Sequence, residues 1–279
     1  MAFEQLPLGK TGLKVARLGI GVGYHINAKA MALAVENGIN YIFWGSLKFR
    51  TVPKALKLLG KNRDKAIIAV PCYGTRYTSS PKWINFSLNQ ALRTLKRDYL
   101  DIFQLGWLEE TPKDAVMETV LKLKEQGKIR HLGMTTHNRK LAAQMLKDPN
   151  FEVFNIRYNA ANRGAEREIF PFAEERHAIV NFTSTRWGQL LKPVPGWQGK
   201  VPTAADCYRF VLSRPEVSVC LTGAKNIKEL RENVKVLNMG PMVEEELNWM
   251  REFGDLVYTG KSHIMESKAD KQDEDFPGK

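Results

Sequence analysis

Lys48 stands four residues beyond the β-rich run Tyr41-Ile42-Phe43-Trp44, in a loop that follows a strand. A lysine can donate a proton near neutral pH when burial or nearby cations lower its pKa. Phe43 and Trp44 offer an apolar wall for such a shift; a solvated loop lysine is the plainer reading. His25, just after a first strand, is a candidate acid or base, and a hydrogen-bonded loop histidine is the alternative. His137, in Thr135-Thr136-His137-Asn138, reads equally as a helix N-terminal residue or a catalyst. Cys72 has no neighbouring His or Asp pattern and reads as a buried thiol. Arg76, Arg157, Arg163 and Arg186 fall at or just past strand ends, where guanidinium groups can clamp carboxylate or phosphate. With Trp44, Trp107 and Trp187, Arg157 and Arg186 outline a pocket for a flat, anionic molecule. Ion pairing with Glu109 and Glu110 is the competing reading.

These residues need a frame that brings strand ends together. Phe3–Leu6 and Leu13–Val15 flank Gly9-Lys10-Thr11-Gly12, a hairpin signal. Strands are expected at Arg17–Gly21, Asn40–Trp44, Ala66–Val70 (ended by Pro71), Leu100–Leu105, Ile129–Thr135, Val153–Tyr158, Ala178–Ser184 and Val217–Thr222. Helical spacing marks Ala28–Glu36 behind Asn27, Val52–Leu59, Ile84–Leu95, a helix from Pro112 to Gln126, Arg139–Leu146, Glu166–Glu175, Ala204–Leu212 behind Thr203, Ile227–Val236 and an extra helix at Val243–Leu256. Strand and helix alternate with short connections, which predicts one (β/α)8 barrel of the α/β class with an N-terminal β-hairpin and an extra C-terminal helix. The barrel is expected over 1–260, and 261–279, polar and mixed in charge, as a mobile tail.

Composition narrows the class. The 279 residues fit a single barrel, which typically takes about 250. Net charge is +12, spread over many expected helix faces without a compact basic block, so nucleic acid is not expected and a small anionic ligand or dinucleotide is. A protein partner is an open alternative. Three scattered cysteines show no metal spacing and no disulfide framework. With no signal-peptide pattern and no apolar run of membrane-span length, a cytoplasmic setting is expected, with neither metal nor membrane.

Several motifs, in order, resemble the aldo-keto reductases. They are Leu8-Gly9-Lys10-Thr11-Gly12-Leu13-Lys14-Val15 with Leu18-Gly19-Ile20-Gly21; Gly38-Ile39-Asn40; Ser87 to Leu95 with Asp98-Tyr99-Leu100-Asp101; Gly127-Lys128-Ile129-Arg130 with Leu132-Gly133-Met134; and Thr222-Gly223-Ala224-Lys225 with Glu229-Leu230-Arg231-Glu232-Asn233. The resemblance implies hydride transfer from NADPH to a carbonyl, with a tyrosine proton donor tuned by lysine and aspartate and a histidine orienting the carbonyl. Here the aspartate position holds Phe43, the tyrosine position Lys48, the lysine position Pro71 and the histidine position Gly106. General-acid help is commonly worth about 100- to 10,000-fold, and Phe43 and Pro71 can supply none.

The cofactor side is better kept. The resemblance assigns nicotinamide contacts to Thr135, Thr136 and Asn155, ring stacking to Phe182, and the adenosine phosphate end to Gly223, Lys225, Glu229, Glu232 and Asn233. A helix N-terminus after Gly-Ala with a lysine suits a phosphate; a strand-to-helix joint kept for packing is the alternative. Three readings follow. One is a divergent oxidoreductase-family protein that binds NADP(H) without standard tyrosine-dependent reduction. Another is a non-redox enzyme acting on an anionic substrate through Lys48 or His25. The third is a non-catalytic binding or regulatory pseudoenzyme. Whether the chain is an enzyme stays open at this stage.

Overall fold

The computed structural model describes residues 2–73 and 80–259. Arg76 and the expected tail at 261–279 lie outside the described residues. The hairpin pairs β1 (Leu6–Pro7) with β2 (Lys14–Val15). Eight parallel strands then close a barrel: β3 (Leu18–Gly21), β4 (Tyr41–Phe43), β5 (Ile67–Tyr73), β6 (Leu100–Gly106), β7 (Ile129–Thr135), β8 (Val153–Arg157), β9 (Ala178–Phe182) and β10 (Val217–Thr222), with β10 returning to β3.

Alternation along the strands builds two cores. Tyr41, Ile67, Ala69, Ile102, Val153, Ala178, Val180, Val219 and Leu221 fill the barrel interior, joined by Leu8 and Val15 of the hairpin region. The hairpin therefore floors the N-terminal end, and open space is left to the C-terminal end. The odd-even partners, such as Leu18, Ile20, Ile42, Ile68, Val70 and Phe103, face outward against the helices.

Those helices are α1 (Ala28–Glu36), α2 (Thr51–Leu59), α3 (Pro81–Leu95), α4 (Asp114–Glu125), α5 (Arg139–Met145), α6 (Ala165–Glu168), α7 (Ala204–Leu212), α8 (Ile227–Val234) and α9 (Glu244–Thr259). Their starts follow capping chemistry. Asn27 accepts from the Ala30 N–H, Asn138 from Leu141 and Asn226 from Glu229, while Thr203 and Asp206 form a reciprocal capping box. In α3, Ile84, Leu88, Ala91 and Leu95 form one buried face. Each large side chain so buried contributes about 1.5–3 kcal/mol.

Two elements depart from the expected pattern. β5 does not stop before Pro71 but runs through it to Tyr73. The Ile67 N–H donates to Asn40 and the Ala69 carbonyl accepts from Trp44, so this parity of residues faces β4. β4 ends at Phe43, opposite Ala69, leaving the nitrogen of Pro71 no ladder bond to make. Conversely, the expected helix Glu166–Glu175 is cut to α6 and a 3-10 turn at Phe170–Phe172. Pro171 lacks the N–H and clashes with the preceding turn. The Asp98-Tyr99-Leu100-Asp101 signature is architectural: the buried Asp101 carboxylate accepts from Ile68 N at 2.9 Å and Arg97 at 2.8 Å, tying β5 to β6.

Candidate active site

A cavity of about 710 Å³ opens at the C-terminal end of the barrel. Inward parity delivers Gly21, Phe43, Tyr73, Thr135, Asn155, Phe182 and Leu221 to its wall, and the loops and following helices add Tyr24, Trp107, His137, Trp187, Gly223, Lys225, Glu229 and Asn233. The backbone at this end is unusual. Of the six non-glycine residues with positive φ among those described, five (His25, Trp107, Thr183, Arg186 and Trp187) lie in loops beyond β3, β6 and β9. Such conformations cost on the order of 1–3 kcal/mol each and gather at sites that need a particular shape.

One wall is aromatic. Trp107 lies 5.9 Å from Tyr73 and 5.9 Å from His137, and His137 meets Phe182 edge-on at 5.5 Å. Burial first, and the Arg157 charge second, push the His137 pKa down to about 4, so the ring is neutral at neutral pH. Beside it, Asn155 is fully buried, with one amide atom bonded to Gln104 at 2.7 Å and the other, Nδ2, without a protein partner among the described residues. A buried amide left open costs about 1–3 kcal/mol unless water or a ligand meets it.

The opposite wall is the β10–α8 joint. Asn233 donates to the Thr222 hydroxyl at 2.8 Å, which also meets the Tyr208 hydroxyl at 3.0 Å. Glu229 folds back to accept from the Lys225 N–H at 2.9 Å and the Asn226 side chain at 3.1 Å. The Tyr24 ring lies against Gly223, where a Cβ would come within 2.6 Å of it.

Of the residues singled out from sequence, Thr135, Asn155, Phe182, Gly223, Lys225, Glu229, Asn233 and Trp107 share this cavity. Others do not line it. Trp44 is fully buried, its indole N–H bonded to the Phe49 carbonyl; one step of strand alternation turns it into the outer core, while Phe43 takes the cavity side. Thr136 spends its hydroxyl on the Leu108 carbonyl at 2.5 Å, borders a small neighbouring cleft with Arg157 and His137, and stays off the main wall. Arg186 is buried and donates to the Val257 carbonyl at 2.6 Å, and Arg163 pairs with Asp255 at 2.8 Å; both fasten α9 rather than clamp a ligand. Glu232 turns outward to Lys235 at 2.8 Å. Lys48 and His25 are exposed and off the cavity wall.

The model of the aldo/keto reductase family matches residues 25–192, more than half the chain. The chain belongs to the aldo/keto reductase family. It is 25% identical to the uncharacterized oxidoreductase YqkF of Bacillus subtilis (strain 168), over 86% of this chain and 93% of that protein. It is 24% identical to an NADH-specific methylglyoxal reductase of Escherichia coli (strain K12), over 91% and 99% of the two chains. Among solved structures, the holo form of aldo-keto reductase AKR11C1 from Bacillus halodurans superposes with a TM-score of 0.74 at 25% identity, covering 90% of this chain and 96% of that one.

Within this aldo/keto reductase barrel, the strand-end positions assigned from the resemblance hold unreactive groups. Phe43 lines the cavity, Pro71 is buried within β5, and Gly106 closes β6 beneath the Tyr73 ring. Tyr24, Tyr73 and Tyr208 are among the cavity residues not assigned from the sequence. For Tyr73 the signal was available: it follows Pro71 by two, so inward parity carries it to the wall once the strand is allowed to continue.

Proposed function

We propose that the chain binds a nicotinamide adenine dinucleotide, NADP(H) in the first instance, across the barrel mouth, as a divergent oxidoreductase-family member that does not use the family's tyrosine-dependent reduction. The observation that carries this reading is that seven of the nine positions assigned to the cofactor, from Thr135 through Phe182 to Asn233, line one continuous cavity. The open amide of Asn155 suits a carboxamide, Phe182 offers a flat face, and the start of α8 with Lys225 suits an anionic phosphate. Tyr24 over Gly223 forms a strap at that end. Bound there, the reduced nicotinamide supplies a hydride.

A second reading, a nucleotide-binding pseudoenzyme, is favoured by Phe43, Pro71 and Gly106 at three of the four strand-end positions. The non-redox route through Lys48 or His25 draws no support from their exposed placement. Calorimetric titration with NADP⁺ and NAD⁺ tests the first claim. The expected result is saturable binding at one site, weakened about tenfold by Phe182→Ala, in line with ring-contact energies near 1.5 kcal/mol. Heat-silent titrations with both nucleotides would remove the reading. Binding without turnover across a panel of aldehydes and ketones would select the pseudoenzyme.

A further inference from the structure

We propose that Glu229 sets the choice between the two dinucleotides at this cavity: its carboxylate opposes the extra phosphate of NADP(H) and accepts from a ribose hydroxyl of NAD(H), so that the site takes both rather than NADP(H) alone. The inference rests on the reading of the cavity as a dinucleotide site, and it assigns the discrimination there to one residue.

Three observations carry it. The first is where the carboxylate lies. Glu229 lines the cavity at the β10–α8 joint, together with Lys225 and Asn233. Lys225 brings a cation to that lip and favours a phosphate, while Glu229 brings an anion to the same lip. Lys225 is exposed and Glu229 is half-buried. The carboxylate is therefore the less screened of the two charges.

The second is how it is held. One Glu229 oxygen accepts from the Lys225 N–H at 2.9 Å, and the other accepts from the Asn226 side-chain amide at 3.1 Å. In return the Asn226 side-chain oxygen accepts from the Glu229 N–H at 2.9 Å. The two residues brace each other across the first turn of α8, so the carboxylate is fixed in place. The Lys225 N–H is already given to a charged acceptor, in a charge-assisted bond. A phosphate arriving at this lip must break that bond or stand beside a second anion, and either course weakens it.

The third is what the rest of the joint offers. Asn233 gives its amide to the Thr222 hydroxyl at 2.8 Å, and Glu232 turns outward to Lys235 at 2.8 Å. Of the two carboxylates on α8, Glu229 is the one on the cavity wall. A ribose hydroxyl reaching it finds a fixed acceptor, and dinucleotide sites that take NAD(H) use a carboxylate in this way.

The test titrates NADP⁺ and NAD⁺, and the fragments 2′,5′-ADP and 5′-ADP, into the wild type and Glu229→Gln by calorimetry. Glutamine keeps an oxygen for the Lys225 N–H and removes the charge. The expected result is that the variant binds NADP⁺ and 2′,5′-ADP about tenfold more tightly, the worth of a charge-assisted contact. NAD⁺ and 5′-ADP should be unchanged or weakened by less than about threefold, and the urea midpoint should match that of the wild type. Equal shifts within each pair, with or without a lower midpoint, would make Glu229 a brace of the turn only and overturn the proposal. No shift in any of the four would do the same, as would a wild type that binds NADP⁺ more than about a hundredfold tighter than NAD⁺. Those outcomes leave the dinucleotide reading standing. A folded wild type that binds none of the four removes that reading, and the proposal with it.

Discussion

The ring of Tyr73 lies across Gly106 so closely that a Cβ on the glycine would stand 2.8 Å from Cδ1 of Tyr73 and 2.9 Å from the Cys72 carbonyl oxygen. Tyr73 could swing aside, but the carbonyl belongs to the β5 backbone, paired in register with β6. A histidine therefore cannot be placed at this position without moving a barrel strand. Gly106→His is expected to destabilise the fold by about 1–3 kcal/mol, the usual cost of overpacking. Urea denaturation measures this; a variant as stable as the wild type would mean that the strand end yields.

Restoring the other loop side chains should not create a good reductase. Phe43→Asp with Lys48→Tyr returns two groups, but Pro71 and Gly106 still lack theirs. Aldehyde reduction by the double variant is expected to stay within about tenfold of the wild type, well short of the 100- to 10,000-fold that general-acid help commonly brings. Robust turnover would show that the positions have been assigned to the wrong residues.

Lys48 and His25 are exposed and off the cavity wall. Lys48→Met and His25→Asn should each leave nucleotide affinity and any turnover within about twofold, as for surface changes away from a site. Loss of activity in Lys48→Met would return the lysine to the chemistry.

Lys225 stands at the lip of the cavity, its N–H held by Glu229. Lys225→Glu should weaken NADPH about tenfold, the worth of a charge-assisted contact, and NADH by much less. Parallel titrations of the two nucleotides read the difference directly; equal losses would move the extra phosphate elsewhere.

His137 gives a signature in pH. Its pKa is lowered from 6.5 to about 4, by burial first and Arg157 second. Between those values the unfolded chain takes up a proton that the folded chain refuses. The stabilisation is thus complete above about pH 6.5 and is lost as pH falls toward 4, reaching about 2–3 kcal/mol. Denaturation midpoints measured across that window should fall more steeply in the wild type than in His137→Gln. Parallel slopes would mean that the imidazole is not shielded as the structure has it.

The barrel was legible because its signals are periodic and local. Strand and helix runs alternating over short connections gave the order of the barrel, and Asn27 and Thr203 marked helix starts before any contact was known. What escaped depended on one step of register or on a distant neighbour. Trp44 and Phe43 differ by one residue and face opposite sides. Pro71 reads as a strand end until β4 is seen to stop beside it. Arg163 and Arg186 look like a ligand clamp along the chain, and only the return of α9 supplies Asp255 and the Val257 carbonyl. Tyr73 carried no motif, and its place followed from the strand that Pro71 was taken to close.

The most direct measurement is energy transfer from tryptophan to reduced nicotinamide as NADPH is added to the purified protein. Trp107 and Trp187 line the cavity, so bound cofactor should quench their emission and gain sensitised emission of its own. The expected result is saturable transfer with an affinity on the order of micromolar, about 8 kcal/mol of binding free energy, sharply reduced in Trp107→Phe. A folded protein, verified by circular dichroism, that shows no transfer at millimolar NADPH or NADH would contradict a dinucleotide site at this barrel mouth.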